Sequence, residues 1–171
     1  DINMDGKLEV LIGYYGDVNE DKIYAINGQN GDPQWVFQSN RDFRSAPALG
    51  DLNGDGTLEV VVISGDKIFV LDGEWGDLIW SYDTGESFEN SAPALGDLDG
   101  DGKLEIVVGR YEGVFAFNGE NGSICWYYDE EPAYYSSPAL GDIDNDGYLD
   151  VIIGYGYGGN EERVEACQGN N

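Results

Sequence analysis

SAPALGDLNGDGTLEVVV (Ser45–Val62) sets Asp51, Asn53, Asp55 and Glu59 within nine positions and then runs into an apolar stretch. It recurs as SAPALGDLDGDGKLEIVV at 91–108 and SSPALGDIDNDGYLDVII at 136–153, and residues 1–12, DINMDGKLEVLI, are the same unit entered part-way through. The leading aspartates Asp1, Asp51, Asp97 and Asp142 are 50, 46 and 45 residues apart. Self-similarity at a period of about 40–50 residues marks a solenoid or a propeller.

A second element keeps a fixed place in each unit: KIYAINGQNGDPQWVF (22–37), KIFVLDGEWGDLIWSY (67–82) and GVFAFNGENGSICWYY (113–128). Each alternates apolar and polar residues, turns through a Gly-rich segment and resumes with an aromatic run, the pattern of a β-hairpin. One unit is therefore four short strands, in the second repeat at roughly 45–50, 58–64, 67–72 and 78–83. No segment shows the helical period, so the chain is expected to be all-β. Four antiparallel strands per repeat is the make-up of a propeller blade, and near-identity at a fixed period favours it over a sandwich of unrelated hairpins. The expected organisation is a single repeat domain over 1–171: a partial blade 1–44, blades 45–90 and 91–135, and a partial blade 136–171. About fourteen strands give three and a half blades with two open edges, which natural proteins avoid by closing or capping. This predicts either a segment of a longer chain or copies joined end to end.

The acidic loops fit D-x-[DN]-x-D-G-x-x-[DE] four times: Asp1, Asn3, Asp5, Glu9; Asp51, Asn53, Asp55, Glu59; Asp97, Asp99, Asp101, Glu105; and Asp142, Asp144, Asp146, Asp150. Oxygen side chains at positions 1, 3 and 5, a Gly at 6 for the sharp turn and the backbone carbonyl at 7 (Lys7, Thr57, Lys103, Tyr148) can wrap a hard cation with six or seven oxygens. Calcium fits best, with up to four ions; magnesium demands tighter octahedral geometry, and no phosphate-binding loop accompanies these segments. An EF-hand would need a bidentate Glu at position 12, where Ile12, Val62, Val108 and Ile153 stand, so the acid at position 9 must close each site at the start of a strand. Without metal, three or four carboxylates within a few ångströms repel one another. Calcium is thus expected as part of the fold, with dissociation constants of about 10⁻⁴ to 10⁻³ M as in extracellular modules. Asp17, Asn19 and Asp21 form a fifth, incomplete pattern, with Lys22 where Gly is needed.

Composition supports the same direction. Eight Lys plus Arg against 34 Asp plus Glu give a formal charge of −26, which repels nucleic acid and anionic membrane surfaces and attracts cations. No run approaches the roughly 18 apolar residues of a membrane span, so no membrane insertion is expected in this segment. There is no His, which removes the commonest general base and the usual transition-metal ligand. Carboxylate pairs suited to glycoside chemistry occur only inside the acidic loops, so the chain is not expected to be an enzyme and no catalytic residue is nominated.

The loop followed by LEVVV, LEIVV or LDVII resembles the FG-GAP/VCBS repeat family, whose best-known members form the calcium-binding β-propeller of integrin α subunits; the hairpin with its DG…G…W pattern is similar to the blades of quinoprotein-type propellers. The resemblance covers essentially the whole chain, with SAPALGD standing where the Phe-Gly and Gly-Ala-Pro signatures would be. It implies loops that brace one face of each blade while partners bind elsewhere, and an adhesion, binding or structural role at the cell surface or outside the cell. A protein or glycan ligand, self-association through open blade edges into a fibre or array, and a lectin-like propeller follow as alternatives.

Among other residues, Trp35, Trp80 and Trp126 share one place in three units and are expected to pack blade on blade. Trp75 replaces Asn30 and Asn121 of the sister turns and is placed at a hairpin tip, open to a sugar or an interface or folded back on its neighbour. Asn121-Gly-Ser is the one N-x-S/T sequon, on a turn. Cys125 and Cys167 are expected as two buried thiols, with a disulfide as the alternative. Tyr14, Tyr15, Tyr134, Tyr135, Tyr155 and Tyr157 gather near loops and strand starts as candidates for a binding face.

Overall fold

The computed structural model describes residues 1–14, 21–85, 87–88, 91–110, 113–128, 136–155 and 163–167. Every regular element among them is a β-strand. β1 (Glu9–Tyr14), β2 (Lys22–Asn27) and β3 (Pro33–Gln38) form one antiparallel sheet in the order β1-β2-β3. β4 (Ala48–Gly50), β5 (Glu59–Ser64), β6 (Lys67–Asp72) and β7 (Leu78–Asp83) form the second, in chain order. The third repeats this with β8 (Ala94–Gly96), β9 (Glu105–Arg110), β10 (Gly113–Asn118) and β11 (Ile124–Tyr128). The fourth holds β12 (Ala139–Gly141), β13 (Asp150–Tyr155) and β14 (Arg163–Cys167).

The expected all-β, propeller-type architecture is thus present, and the described sheets do not close on one another. The first strand of a full unit is shorter than expected: β4 starts at Ala48, not Ser45. Pro47 has no N–H to give to a ladder, which keeps it out of the paired strand.

The hairpins between third and fourth strands are the same structure three times. Each ladder slips by one residue, at Ala25/Ile26, Val70/Leu71 and Ala116/Phe117. The turn that follows is closed by amides of Gly31, Gly76 and Gly122 donating to the carbonyls of Asn27, Asp72 and Asn118, each at 2.9 Å. These glycines sit at φ +79°, +73° and +74°, where a side chain is strained. The Asn27, Asp72 and Asn118 side chains accept the amides of Asn30, Trp75 and Asn121 inside the turn. That leaves Trp75 at the tip, 66% exposed, rather than folded back.

Three hydrophobic clusters lie between neighbouring sheets. Leu11, Ile23, Ala25 and Trp35 meet Val60, Val62, Phe69 and Leu71; Val61, Ile63, Ile68 and Val70 meet Ile106, Val108, Phe115 and Phe117; Val107, Val114 and Ala116 meet Val151 and Ile153. A strand enclosed on both sides loses its polar alternation, and β5 is buried along its whole length.

The shared tryptophan position supplies the link between blades. Trp35 Nε1 donates to the Gly73 carbonyl of the next sheet at 2.8 Å, and Trp80 Nε1 to the Gly119 carbonyl at 2.8 Å. The indole rings lie flat against the positive-φ glycines: a methyl group on Gly76 would stand 2.6 Å from Trp35 Cδ2, and one on Gly122 would stand 2.7 Å from Trp80 Cε3. Trp126 is half-buried against the cluster that joins the third and fourth sheets. Cys125 departs from expectation, being exposed with a free thiol. It alternates with the inward Trp126 and Tyr128 on β11 and so points away from the core. The Cys167 side chain, Asp17, Asn19, Tyr15, Tyr134, Tyr135 and Tyr157 lie outside the described residues, as does the Tyr155 side chain; Tyr14 is exposed.

Candidate metal centres

Each acidic loop leads into the strand that its ninth residue begins, Glu9 opening β1, Glu59 β5, Glu105 β9 and Asp150 β13, and the last three follow the short strands β4, β8 and β12. The loops coil in one way. The first aspartate receives the amide of the sixth residue on Oδ2: Gly6 to Asp1 and Gly56 to Asp51 at 2.9 Å, Gly102 to Asp97 at 3.0 Å and Gly147 to Asp142 at 3.1 Å. The fifth residue's carboxylate receives the amide of the seventh: Lys7 to Asp5, Thr57 to Asp55, Lys103 to Asp101 and Tyr148 to Asp146, all at 2.8–2.9 Å. Asn3, Asn53, Asp99 and Asp144 each accept the amide two residues on, in the Asx-turn manner.

The coil needs left-handed backbone at two places. The sixth residue is Gly throughout, at φ +82° to +96°. The fourth is left-handed too: Gly54 (+77°), Gly100 (+78°), Asn145 (+63°) and Met4 (+56°). Sequence reading found only the first of these requirements, because Met4 carries no turn signal.

The coil gathers the acids. Carboxylate oxygens of Asp97, Asp99 and Asp101 lie within 4.8 Å of one another, as do those of Asp142, Asp144 and Asp146. In the first two loops Asn3 and Asn53 hold the middle place with an amide. The ninth residue closes the loop from below. One oxygen of Glu9, Glu59, Glu105 and Asp150 accepts the amide of the second loop residue, respectively Ile2 (2.9 Å), Leu52 (2.7 Å), Leu98 (2.8 Å) and Ile143 (2.9 Å).

The other oxygen decides what these loops can hold. Oε1 of Glu9 and Oε1 of Glu105 are buried with no hydrogen-bond partner. Such an oxygen is costly to bury unless something binds it. Burial pushes the Glu59 and Glu105 carboxyls above the usual carboxylate range; the Leu52 and Leu98 amides oppose that, and the neighbouring loop aspartates add to it. A desolvated carboxylate with an unused lone pair, beside two or three further carboxylates, is the donor set of a hard cation. The residues present therefore fit a divalent ion. Of the incomplete fifth pattern, Asp21 is buried and its carbonyl accepts the Ser39 amide at 3.0 Å as part of the sheet framework.

The loops also carry the sequence signal of a family. A model described as FG-GAP-like repeat matches residues 1–62, and one described as FG-GAP repeat matches residues 90–124 and 134–166. The chain belongs to the FG-GAP repeat family. No curated protein sequence matches this FG-GAP chain. Its fold is shared with solved propeller-type structures: PilY1 C-terminal domain of Pseudomonas aeruginosa (TM-score 0.62, 19% identity, 85% of this chain and 36% of that one) and BamB of Moraxella catarrhalis (TM-score 0.60, 21%, 90% and 44%). The V. cholerae biofilm matrix protein Bap1 also matches (TM-score 0.53, 22%, 90% and 33%). The FG-GAP chain thus spans between a third and just under half of these structures. No helix among its described residues is long and apolar enough to cross a membrane.

Proposed function

We propose that this FG-GAP chain is a calcium-stabilised β-propeller repeat module that works outside the cell or at its surface as a binding, adhesion or structural scaffold, without catalysis of its own. The observation that carries the calcium reading is the buried, unpartnered Oε1 of Glu105 beneath the clustered carboxylates of Asp97, Asp99 and Asp101, with Oε1 of Glu9 likewise buried and unpartnered below the first loop. The ligands would be the residues at positions 1, 3, 5 and 9 of each loop, with the carbonyls of Lys7, Thr57, Lys103 and Tyr148. Bound cation would supply charge neutralisation and a rigid joint between first and second strands; each ion would remove two units from a formal charge of −26. Low-affinity loops of this kind fill at the millimolar calcium of extracellular fluid, which favours that setting. Carboxylates committed to metal are withdrawn from acid–base chemistry, which favours a scaffold over an enzyme and leaves protein or glycan ligands to other surfaces.

Thermal melting with calcium and with chelator tests the reading. At free calcium tenfold above the dissociation constant, each filled site stabilises by about 1.4 kcal/mol. Four sites give about 6 kcal/mol, a rise in Tm of roughly 10–20 °C for a domain of this size. Chelation should remove that rise and added Ca²⁺ restore it; superimposable curves would refute a structural metal.

A further inference from the structure

The second unit departs from its sisters in three residues at one spot, the tip of the hairpin between β6 and β7. In the first and third units the hairpin turn opens on Asn27 and Asn118 and carries Asn30 and Asn121 at its tip, with Lys7 and Lys103 at the seventh place of the acidic loop. The second unit has Asp72, Trp75 and Thr57 at these places. The changes add a carboxylate, add an aromatic ring and take away an ammonium. Gly73 and Gly119 lie against the Leu58 and Leu104 carbonyls, which brings the loop's seventh residue to the hairpin turn in both units. The first and third sheets flank the second, so the exposure of Trp75 is set within the array.

The third unit displays what the missing ammonium does. Lys103 Nζ donates to Glu120 Oε2 at the hairpin tip. That hydrogen bond, with the charges of Glu120 and Asp101, holds the ammonium above its ordinary range. The counterpart of Glu120 is Glu74. Thr57 cannot take the lysine's part, its hydroxyl being donated to Asp55, and no cation among the described residues pairs with Glu74. The tip itself is stiff: Asp72 Oδ1 accepts the Trp75 amide at 2.8 Å, and Gly76 is seated on the Trp35 ring. An exposed carboxylate without its internal partner, followed by an exposed indole, is a pair of groups that receives an ammonium or guanidinium from outside, through an ion pair and the electron-rich face of the ring.

We propose that the hairpin tip of the second sheet docks a basic segment of a partner protein, one lysine or arginine of which takes at Glu74 the place that Lys103 fills at Glu120 and lays its charge and aliphatic stem on Trp75. Charge complementarity selects this occupant. Asp72, Glu74 and Asp77 lie in the same turn of a chain with a formal charge of −26, which steers cationic segments toward it and repels acidic ones. A neutral sugar would use the ring and leave Glu74 unanswered. The proposal rests on the scaffold reading, to which it gives a class of partner, but it needs no metal, since neither Glu74 nor Trp75 belongs to an acidic loop.

Indole N–H resonances of the ¹⁵N-labelled chain, followed by NMR while acetyl-Lys-Arg-Lys-Arg-amide is added in about 0.15 M NaCl, test the site with calcium and with chelator. The chain has four tryptophans, and Trp75→Asn, the residue of the sister tips, identifies the Trp75 signal by its loss. That signal should move saturably in both buffers while those of Trp35, Trp80 and Trp126 move far less. Thr57→Lys, which supplies the internal ammonium of the third unit, should weaken the peptide roughly two- to fivefold. Asn40→Lys, the same charge on an exposed residue of the opposite rim, should weaken it less. A Trp75 signal that stays still, that moves as far with acetyl-Gln-Gln-Gln-Gln-amide or with maltohexaose, or an affinity lowered equally by Thr57→Lys and Asn40→Lys would each overturn the proposal, pointing respectively to no ligand, a neutral ligand and diffuse charge alone. The readout is independent of thermal melting with calcium, so the docking site and the structural metal can each fail without the other.

Discussion

Gly76→Ala is the perturbation that best isolates how neighbouring blades are held. Gly76 is at φ +73°, and an added methyl would stand 2.6 Å from the Trp35 ring. Left-handed backbone costs a non-glycine residue about 1–2 kcal/mol. The ring must then shift, at about 1–3 kcal/mol for overpacking. A shift weakens the Trp35 Nε1 to Gly73 carbonyl bond of 2.8 Å, worth about 1 kcal/mol. The total is about 3–6 kcal/mol. Gly31→Ala is the internal control: the turn is the same, φ is +79°, and nothing lies within 4 Å, so only the backbone term of about 1–2 kcal/mol applies. Urea titrations at one chain concentration, followed by tryptophan fluorescence, give both values from the midpoints at constant slope. Gly122→Ala, where the methyl would stand 2.7 Å from Trp80, should track Gly76→Ala. Equal losses for Gly31→Ala and Gly76→Ala would refute the tryptophan seat, since a purely backbone effect would then explain both.

Further expectations concern the loops. Glu105→Gln keeps an acceptor for the Leu98 amide but removes a buried charge; it should stabilise the chelated protein slightly and destabilise the calcium-loaded one, and calorimetric melts that move the same way in both conditions would contradict a metal at that oxygen. Asp97→Ala with Asp101→Ala should lower calcium stoichiometry by one in a calorimetric titration, with the other loops still filling. Met4→Gly should stabilise by about 1 kcal/mol, a rise of roughly 2–4 °C in Tm, because Met4 holds φ +56° in place of the glycine that two sister loops use.

Much of this was legible in the sequence because it is written several times. One DLNGDGTLE-like run could be a solvated turn; four, each opening a β-type run, fix the unit, its strands and the loop acids. Less was legible where the cause lies across a sheet interface or in backbone shape. The repeated tryptophans announced packing between blades, yet their spacing does not reveal that the ring of one unit lies on the turn glycine of the next. The ninth acid is legible at the strand start, but the division of Glu9 and Glu105 into one amide-bound and one orphaned oxygen depends on burial that only the fold supplies. Met4 hides a left-handed residue because side-chain chemistry gave no cue. Cys125 could have been placed correctly: in ICWYY the alternation that turns Trp126 inward turns Cys125 out, and a general preference of cysteine for burial overrode it.

The acidic loops and the tryptophan seats lie on the same rim of the sheets. The Gly28 amide reaches the Leu8 carbonyl at 3.0 Å, and Gly73 lies beside both Leu58 and Ile2. The opposite rim carries the link between the second and third strands of the second sheet, residues 65–66, while in the first sheet seven residues of sequence separate the corresponding strands. A link of two residues and one of seven serve the same sheet geometry, and doubling a loop's length costs only about 0.6 kcal/mol in closure entropy. For protein engineering this sets a side to leave alone against one where link length is free to vary, and it puts a recognition peptide in the longer link, because the short one is tied into the sheet: the Gly65 carbonyl accepts the Phe88 amide and the Asp66 carbonyl the Thr84 amide, both at 3.1 Å.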